Sequence, residues 1–424
     1  MARTRTGRAI CAAFLLLGAV SLHHPRALAQ DTVPRVQRIT LEDALRRMEQ
    51  SSLDLRLARE AVAAARARAV TAGTRPNPTL GIDREQLGGN GGYHETVLTV
   101  GRSLDVTGQR EARREVAGRE VAAAEARLAA DAAHARAQVR TAYLRAVGAE
   151  ARLAVLSDAV LVFREAERAG QSRYREGDIS AYELQRLQVE TARYETMLAE
   201  ARLEQLRAGR ELASLTAFEP GREGLVLLPA DSLTGLLAPA AALSGDAALA
   251  LARRRADVRA AEADVEAARA RVALAGRGRR FNPTVTAGLK EQAGGMYGGV
   301  LGVSVPLPLS DRNQGPIAEA EAALAQAETR LALAVRAAEA DVLRALDRQR
   351  SLADRLTLRE GLLARTGTLL QSARVAYAEG EMTLLELLDA AETYRTAREQ
   401  ADALLAEYLL SVADVERAIG GTDR

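Results

Sequence analysis

The feature that most constrains this chain is that it repeats itself. DLRLAREAVAAARAR at 54–68 returns as DVRAAEADVEAARAR at 257–271, and RPNPTL at 75–80 returns as RFNPTV at 280–285. VLTVGRSLDV at 97–106 corresponds to VLGVSVPLPL at 300–309, and Gly177 to Gly380. An offset of 203 to 205 positions held across four landmarks is a tandem duplication, so the fold must be built twice. The copies run over 41–218 and 244–420, joined by a Pro/Gly/Leu-bearing linker at 219–243.

Each copy has the same order of parts. A helical stretch (41–72; 246–275) ends at Gly73 or Gly276, with Pro76 or Pro283 soon after, a common helix stop. Two segments with strand-like alternation follow. In TLGIDRE (79–85) Leu80 and Ile82 oppose Thr79, Gly81 and Asp83; in TVTAGLK (284–290) Val285, Ala287 and Leu289 oppose Thr284, Thr286 and Gly288. Return strands are predicted beyond glycine-rich turns, the second carrying Leu301, Val303, Val305, Leu307 and Leu309 on one face. The GGNGG turn at 88–92 lacks the following helix a phosphate loop needs.

A very long helix comes next. No proline lies between Pro78 and Pro220, and 109–176 is helical in pattern throughout, about 100 Å at ~1.5 Å per residue. The chain then reverses at Gly177 and runs back to about Phe218. The second copy runs from about Pro316 to Gly380 and back to Ile419. Aromatics are only 3% of the chain and Trp is absent, whereas 27% is charged, which favours thin helix–helix seams over one large core.

The reversals have local causes. Glycine suits the left-handed residue that ends a helix. Ser180-Ala-Tyr-Glu183 and Thr383-Leu-Leu-Glu386 then read as capping boxes that start the next helix. Carboxylates crowd the second tip, where Glu386 and Asp389 lie three apart on one helix face.

MARTRTGR, an apolar run and Ala27-Leu28-Ala29 form the pattern of a cleaved secretory leader over 1–29. The run is short of the ~20 residues a membrane anchor needs. Removal of this segment takes Lys+Arg from 58 to 54 against 56 acids, so the formal balance moves from +2 to −2. That gives no electrostatic case for nucleic acid. Cys11 leaves with the leader, its position being wrong for a lipid-modified cysteine, and only His94 and His134 remain among histidines. No thiol nucleophile, disulfide, cofactor loop or N/S metal cluster is available, so neither an enzyme nor a resident metal is expected.

Strands of this length can cross a bilayer when tilted, with apolar residues outside and small or polar ones inside. A membrane barrel must close, and four strands are too few, so several chains would have to share one barrel. The alternative is a pair of surface hairpins on a soluble sheet. Arg102, in the register of the apolar Val305, would either snorkel to an interface or sit at a bulge beside Gly101.

The duplication, the paired NP-strand starts and the two Gly-centred reversals together resemble the TolC-like outer membrane efflux channels, over essentially all of 41–420. PLPLSDRNQG at 306–315, with SLDVTGQR at 103–110, is similar to the cation-efflux (CzcC/CusC-type) branch. The resemblance implies a mainly α fold with a small transmembrane β part: a homotrimer whose four strands per chain complete a shared 12-stranded β-barrel in outer membrane lipid. Long helical hairpins would continue it as an α-barrel across the periplasm of a Gram-negative cell. It also implies a passive duct that docks, through a periplasmic adaptor, on an inner-membrane RND-type pump and exports heavy-metal cations. Multidrug efflux and type I secretion use the same fold. A periplasmic coiled-coil adaptor is the rival of another class, but adaptors have one hairpin where this chain has two. By the same resemblance Glu386 and Asp389 would line a periplasmic constriction; capping accounts equally well for Glu386, whereas for Asp389 lining is favoured over ordinary helix solvation. Tyr377 and Glu183 would tie neighbouring hairpins in the closed state, and Met382 stands where some relatives carry an arginine tie. Gly177, Asp178, Ser180, Gly380, Glu381 and Thr383 would meet the adaptor.

Overall fold

The computed structural model describes residues 35–88, 93–216, 225–229, 231–236, 244–379 and 381–421. The leader expected over 1–29, the GGNGG turn beyond Gly88, Gly380 and most of the 219–243 linker lie outside the described residues.

The duplication organises every layer. Helices α1 (Leu41–Ser51) and α2 (Leu53–Gly73) lead to strands β2 (Thr79–Leu87) and β3 (Tyr93–Ser103). Helix α3 (Gln109–Glu176) has 68 residues and returns as α4 (Ala181–Leu215). The second copy gives α5 (Gly245–Ala252), α6 (Ala256–Arg277), β5 (Thr284–Gln292) and β6 (Met296–Ser304). Helices α7 (Gln314–Ala378) and α8 (Leu384–Ala418) complete it.

Three expected spans are cut shorter. The helix expected over 41–72 breaks at Ser52, whose hydroxyl accepts from Leu55 N and so starts a new helix. Its counterpart breaks at 253–255 between α5 and α6. The last strand stops at Ser304 rather than continuing to Leu309, because Pro306 and Pro308 have no N–H to give a ladder. Two strands were not anticipated: β1 (Arg35–Ile39) and β4 (Leu225–Pro229) pair in parallel against the middle of α3.

The four strands of the two hairpins form one sheet in the order β2-β3-β5-β6, antiparallel throughout. Below it α3 is the central spar. Its first half packs on α2 and α6, through Arg66–Glu125 (2.6 Å), Arg271–Glu120 (2.5 Å) and Arg127–Asp264. Its second half packs on α4 and α8, with Arg164–Glu195 at 2.7 Å and Arg152–Glu399 at 3.4 Å. The core is correspondingly thin and distributed. Val139, Ala142, Tyr143, Ala146 and Val147, spaced to share one helical face, bury against Ile39, Met48, Leu212 and Leu233. Tyr143 anchors this cluster: its hydroxyl lies 3.1 Å from Ile39 O and bonds the Asp231 carboxylate. Leu156, Val160, Phe163, Leu187 and Tyr194 form a second cluster toward the tips. Each fully buried Leu or Val contributes about 1.5–3 kcal/mol of transfer free energy.

Candidate functional site: the sheet and the hairpin tips

The sheet has the sidedness of a membrane wall. Ladder register places Leu80, Ile82, Leu98, Val100, Val285, Ala287, Leu289, Leu301 and Val303 on one face. That face is open: Leu289 is 70% and Leu301 86% exposed. Thr79, Gly81, Thr99, Gly101, Thr284, Thr286, Gly288, Gly302 and Ser304 share the other face. Packing of strands forces some of these to be small. A Cβ on Gly288 would lie 2.2 Å from Leu98 O, inside the backbone of the adjacent strand. An apolar face turned outward with no protein over it belongs against lipid, not water. Among the described residues no helix is long and apolar enough to cross a membrane.

Arg102 is exposed on the apolar face, and the register runs unbroken from Gly101 through Arg102 opposite Thr286 and Val285. There is therefore no bulge. The arginine stands one residue from the helix-side end of β3, where a guanidinium can reach an interface. At the far end a polar knot ties the two copies on the inner face. Tyr93 Oη donates to Glu95 at 2.6 Å, and Gln292 Nε2 donates to Glu95 at 2.7 Å, with Lys290 3.6 Å away. Sequence reading missed this knot, since its members lie almost 200 positions apart.

The tips are built alike. Gly177 adopts φ 86°, Gly177 N bonds Tyr174 O at 3.1 Å, and Asp178 N bonds Arg173 O at 2.9 Å, the double closure of a left-handed helix end. Glu381 N bonds Ala376 O at 2.9 Å, the counterpart bond in the second copy. The Ser180 and Thr383 hydroxyls accept from Glu183 N (3.2 Å) and Glu386 N (3.3 Å). In return the Glu183 and Glu386 carboxylates accept from Ser180 N (2.8 Å) and Thr383 N (2.9 Å). These backbone bonds, with those from the same two hydroxyls, hold both carboxyls below their ordinary 4.5, and the Arg173 charge adds to the effect at Glu183.

Tyr377 meets hairpin one through a residue that sequence reading missed: Arg173 Nη1 donates to Tyr377 Oη at 2.9 Å. Glu183 accepts from Ser180 N and Ser180 Oγ through one carboxylate oxygen, Oε2. Met382 packs against the cluster of Leu370, Ala373 and Ala390, as Leu387 does. It precedes the Thr383 cap, and Leu387 is the fourth helical residue, so the two occupy the positions of a hydrophobic staple over the same cluster. Asp389 is exposed and borders a small cleft with Phe163, Arg186, Leu187, Glu190 and Glu392, between α4 and α8. The structure thus leaves Asp389 outside the cap and uses Glu386 within it.

Above the tips lies a lock across three helices. The Arg395 guanidinium sits 4.5 Å from the Tyr194 ring centre, and Phe163 stacks on Tyr194 at 4.2 Å. Arg395 also donates to Glu399 at 2.9 Å, and Glu399 reaches Arg152, which pairs with Glu204 at 2.7 Å.

A membrane-facing sheet of four strands continued by two long helical hairpins defines a class. The profile of the family described as outer membrane efflux protein matches residues 44–217 and again 248–421. The chain belongs to that family: it is an outer membrane efflux channel with a large periplasmic helical part. It is 26% identical over 392 residues to the cobalt-zinc-cadmium resistance protein CzcC of Cupriavidus metallidurans, covering 90% of each chain. Its fold is that of CusC (TM-score 0.73, 20% identity, 90% of this chain and 92% of that one). It is also that of VceC from Vibrio cholerae (TM-score 0.74, 21% identity, 91% and 97%).

Proposed function

We propose that three copies of this chain form the exit duct of a tripartite pump that expels divalent heavy-metal cations. The observation that carries the assembly is the open sheet: β2 and β6 each present an unpaired edge among the described residues, below an apolar outer face. Open edges cannot persist in lipid, and three such sheets make a 12-stranded closed barrel, the size the family resemblance implies. Likeness to a cobalt-zinc-cadmium resistance protein supports the cargo. The tips, with Gly177, Asp178, Ser180, Gly380, Glu381 and Thr383, are the surface offered to a periplasmic adaptor, and through it to an RND-type pump.

With Glu386 engaged in its cap, the ring at the periplasmic mouth is carried by Asp389, three carboxylates in a trimer that favour cations. The Arg173–Tyr377 bond holds the two hairpins of one protomer together while the mouth is closed.

Detergent-purified protein should insert into planar bilayers as a trimer and conduct ions; a soluble monomer in the periplasmic fraction would overturn the duct. Asp389→Asn should weaken cation selectivity and block by divalent ions from the helix side. Selectivity unchanged in this variant would remove the ring. A deletion strain should lose growth on cobalt, zinc or cadmium; sensitivity confined to drugs would assign the duct to multidrug efflux.

A further inference from the structure

Charge is distributed unevenly along the sheet. The helix-side rim, residues 73–80, 101–114, 276–284 and 304–316, carries nine arginines against Asp105, Glu111 and Asp311. The opposite rim, 83–96 and 290–298, carries Arg84 and Lys290 against Asp83, Glu85, Glu95 and Glu291. One end is strongly basic and the other mildly acidic.

Five of the rim arginines, Arg75, Arg102, Arg279, Arg280 and Arg312, are exposed, and none has a side-chain hydrogen bond or ion pair among the described residues. That is unlike many arginines of the long helices, which pair across seams as Arg66, Arg152 and Arg271 do. Beside them stand exposed apolar side chains outside the strands: Leu104, Val106, Phe281, Leu307 and Leu309. Their alternate spacing continues that of the outward positions Val100, Val285 and Val303 toward the helices. The loops that bear the arginines are held in place. Gln109 Nε2 donates to Arg280 O at 3.0 Å, Arg277 Nη1 donates to Gly108 O at 2.6 Å, and Asn282 Oδ1 accepts from Val106 N at 3.1 Å.

We propose that this rim is a docking girdle for the anionic phospholipid headgroups of the leaflet on the helix side. Guanidinium groups pair with phosphate in a bidentate, charge-assisted way. Basic side chains just outside an apolar wall gain from a negative lipid surface within about one Debye length, ~8–10 Å. The apolar residues reach acyl chains while the arginines beside them reach phosphate. The inference rests on the sheet lying in the outer membrane and not on the exported cargo, so failure of the metal-growth test leaves it standing.

Protein reconstituted in nanodiscs of equimolar phosphatidylethanolamine and phosphatidylglycerol, then released into mild detergent, should retain phosphatidylglycerol in several-fold excess by native mass spectrometry. The variant Arg102→Gln/Arg279→Gln/Arg280→Gln/Arg312→Gln should bring the retained ratio close to that of the bilayer. Arg84→Gln, exposed on the same face at the opposite rim, should leave the excess intact. If the four-site variant fails to insert, the pair Arg279→Gln/Arg280→Gln, outside the ladder, carries the test with a partial loss. An unchanged excess in the rim variants, or an equal loss in Arg84→Gln, overturns the proposal. Inorganic phosphate, matched in ionic strength with chloride, should not remove the excess; if it does, the rim is a free-phosphate site and not a lipid one.

Discussion

The sheet and the hairpin tips are the two ends of one chain, and they answer opposite solvents. In the sheet most large apolar side chains, Leu80, Ile82, Leu98, Leu289 and Leu301 among them, point away from the protein, and Gly, Thr and Ser predominate on the inside, where Val97 and Val300 are exceptions. At the tips the apolar residues Met382, Leu387 and Leu370 turn inward, and the carboxylates Glu381, Glu386 and Asp389 turn out. The tips follow the rule of water-soluble helices, and the sheet inverts it. The difference teaches that exposure alone does not identify a flaw or a site. An 86% exposed leucine is stabilising in β6 and would be a liability on α8.

The contrast can be broken at either end, and the largest effect is expected in the water-side packing. Tyr194 is fully buried between Phe163 and the Arg395 guanidinium. Tyr194→Ala should cost about 3–5 kcal/mol, as removal of a buried aromatic does, and strand Arg395 in a cavity. Denaturant unfolding followed by helical circular dichroism would register it; a loss under 1 kcal/mol (roughly the scale of a surface change) would mean that the seam collapses around the gap. At the lipid side the sign of polarity reverses. Leu301→Arg should cost ~2–4 kcal/mol if Leu301 lies near the bilayer midplane, whereas Thr286→Arg on the inner face should be far milder. The fraction of protein folded into outer membrane vesicles would report both. Equal losses from the two substitutions would contradict the inside–outside assignment.

Those sidedness rules explain which parts were legible in the sequence. Period-two alternation marked the strands, and the S/T-x-x-E boxes marked both helix starts, because each depends on residues within four positions. The duplication supplied the rest of the plan. What was hidden depends on partners far away in sequence. PLPL alternates as a strand does, yet proline has no N–H for a ladder, so β6 ends at Ser304. β1 and β4 are five residues each and become strands only by pairing with one another across 190 positions. Arg173 carries no motif, and only the fold brings it to Tyr377. The packing of Met382 over Leu370, Ala373 and Ala390 likewise depends on α7 and α8 meeting at the tip, which no local motif announces.

The smallest expected effect separates the two tips from each other. Thr383→Ala and Ser180→Ala should each loosen one reversal by about 0.5–2 kcal/mol, through loss of the hydroxyl that accepts from the third helical amide. The reciprocal carboxylate is where pH enters. Glu183 and Glu386 have their carboxyls lowered from 4.5 in the folded state, chiefly because backbone N–H groups donate to the charged form. A depressed carboxyl stabilises fully above its unfolded value and loses that contribution as pH falls through the folded one. Both tips should therefore keep their amide protection at neutral pH and lose part of it only below about pH 4.5. Glu386→Gln retains an acceptor but no charge to titrate. In that variant amides 384–387, corrected for intrinsic exchange, should lose their acid dependence while amides 181–184 keep theirs. If both stretches lose it together, the reversals are coupled through the Arg173–Tyr377 bond rather than capped independently.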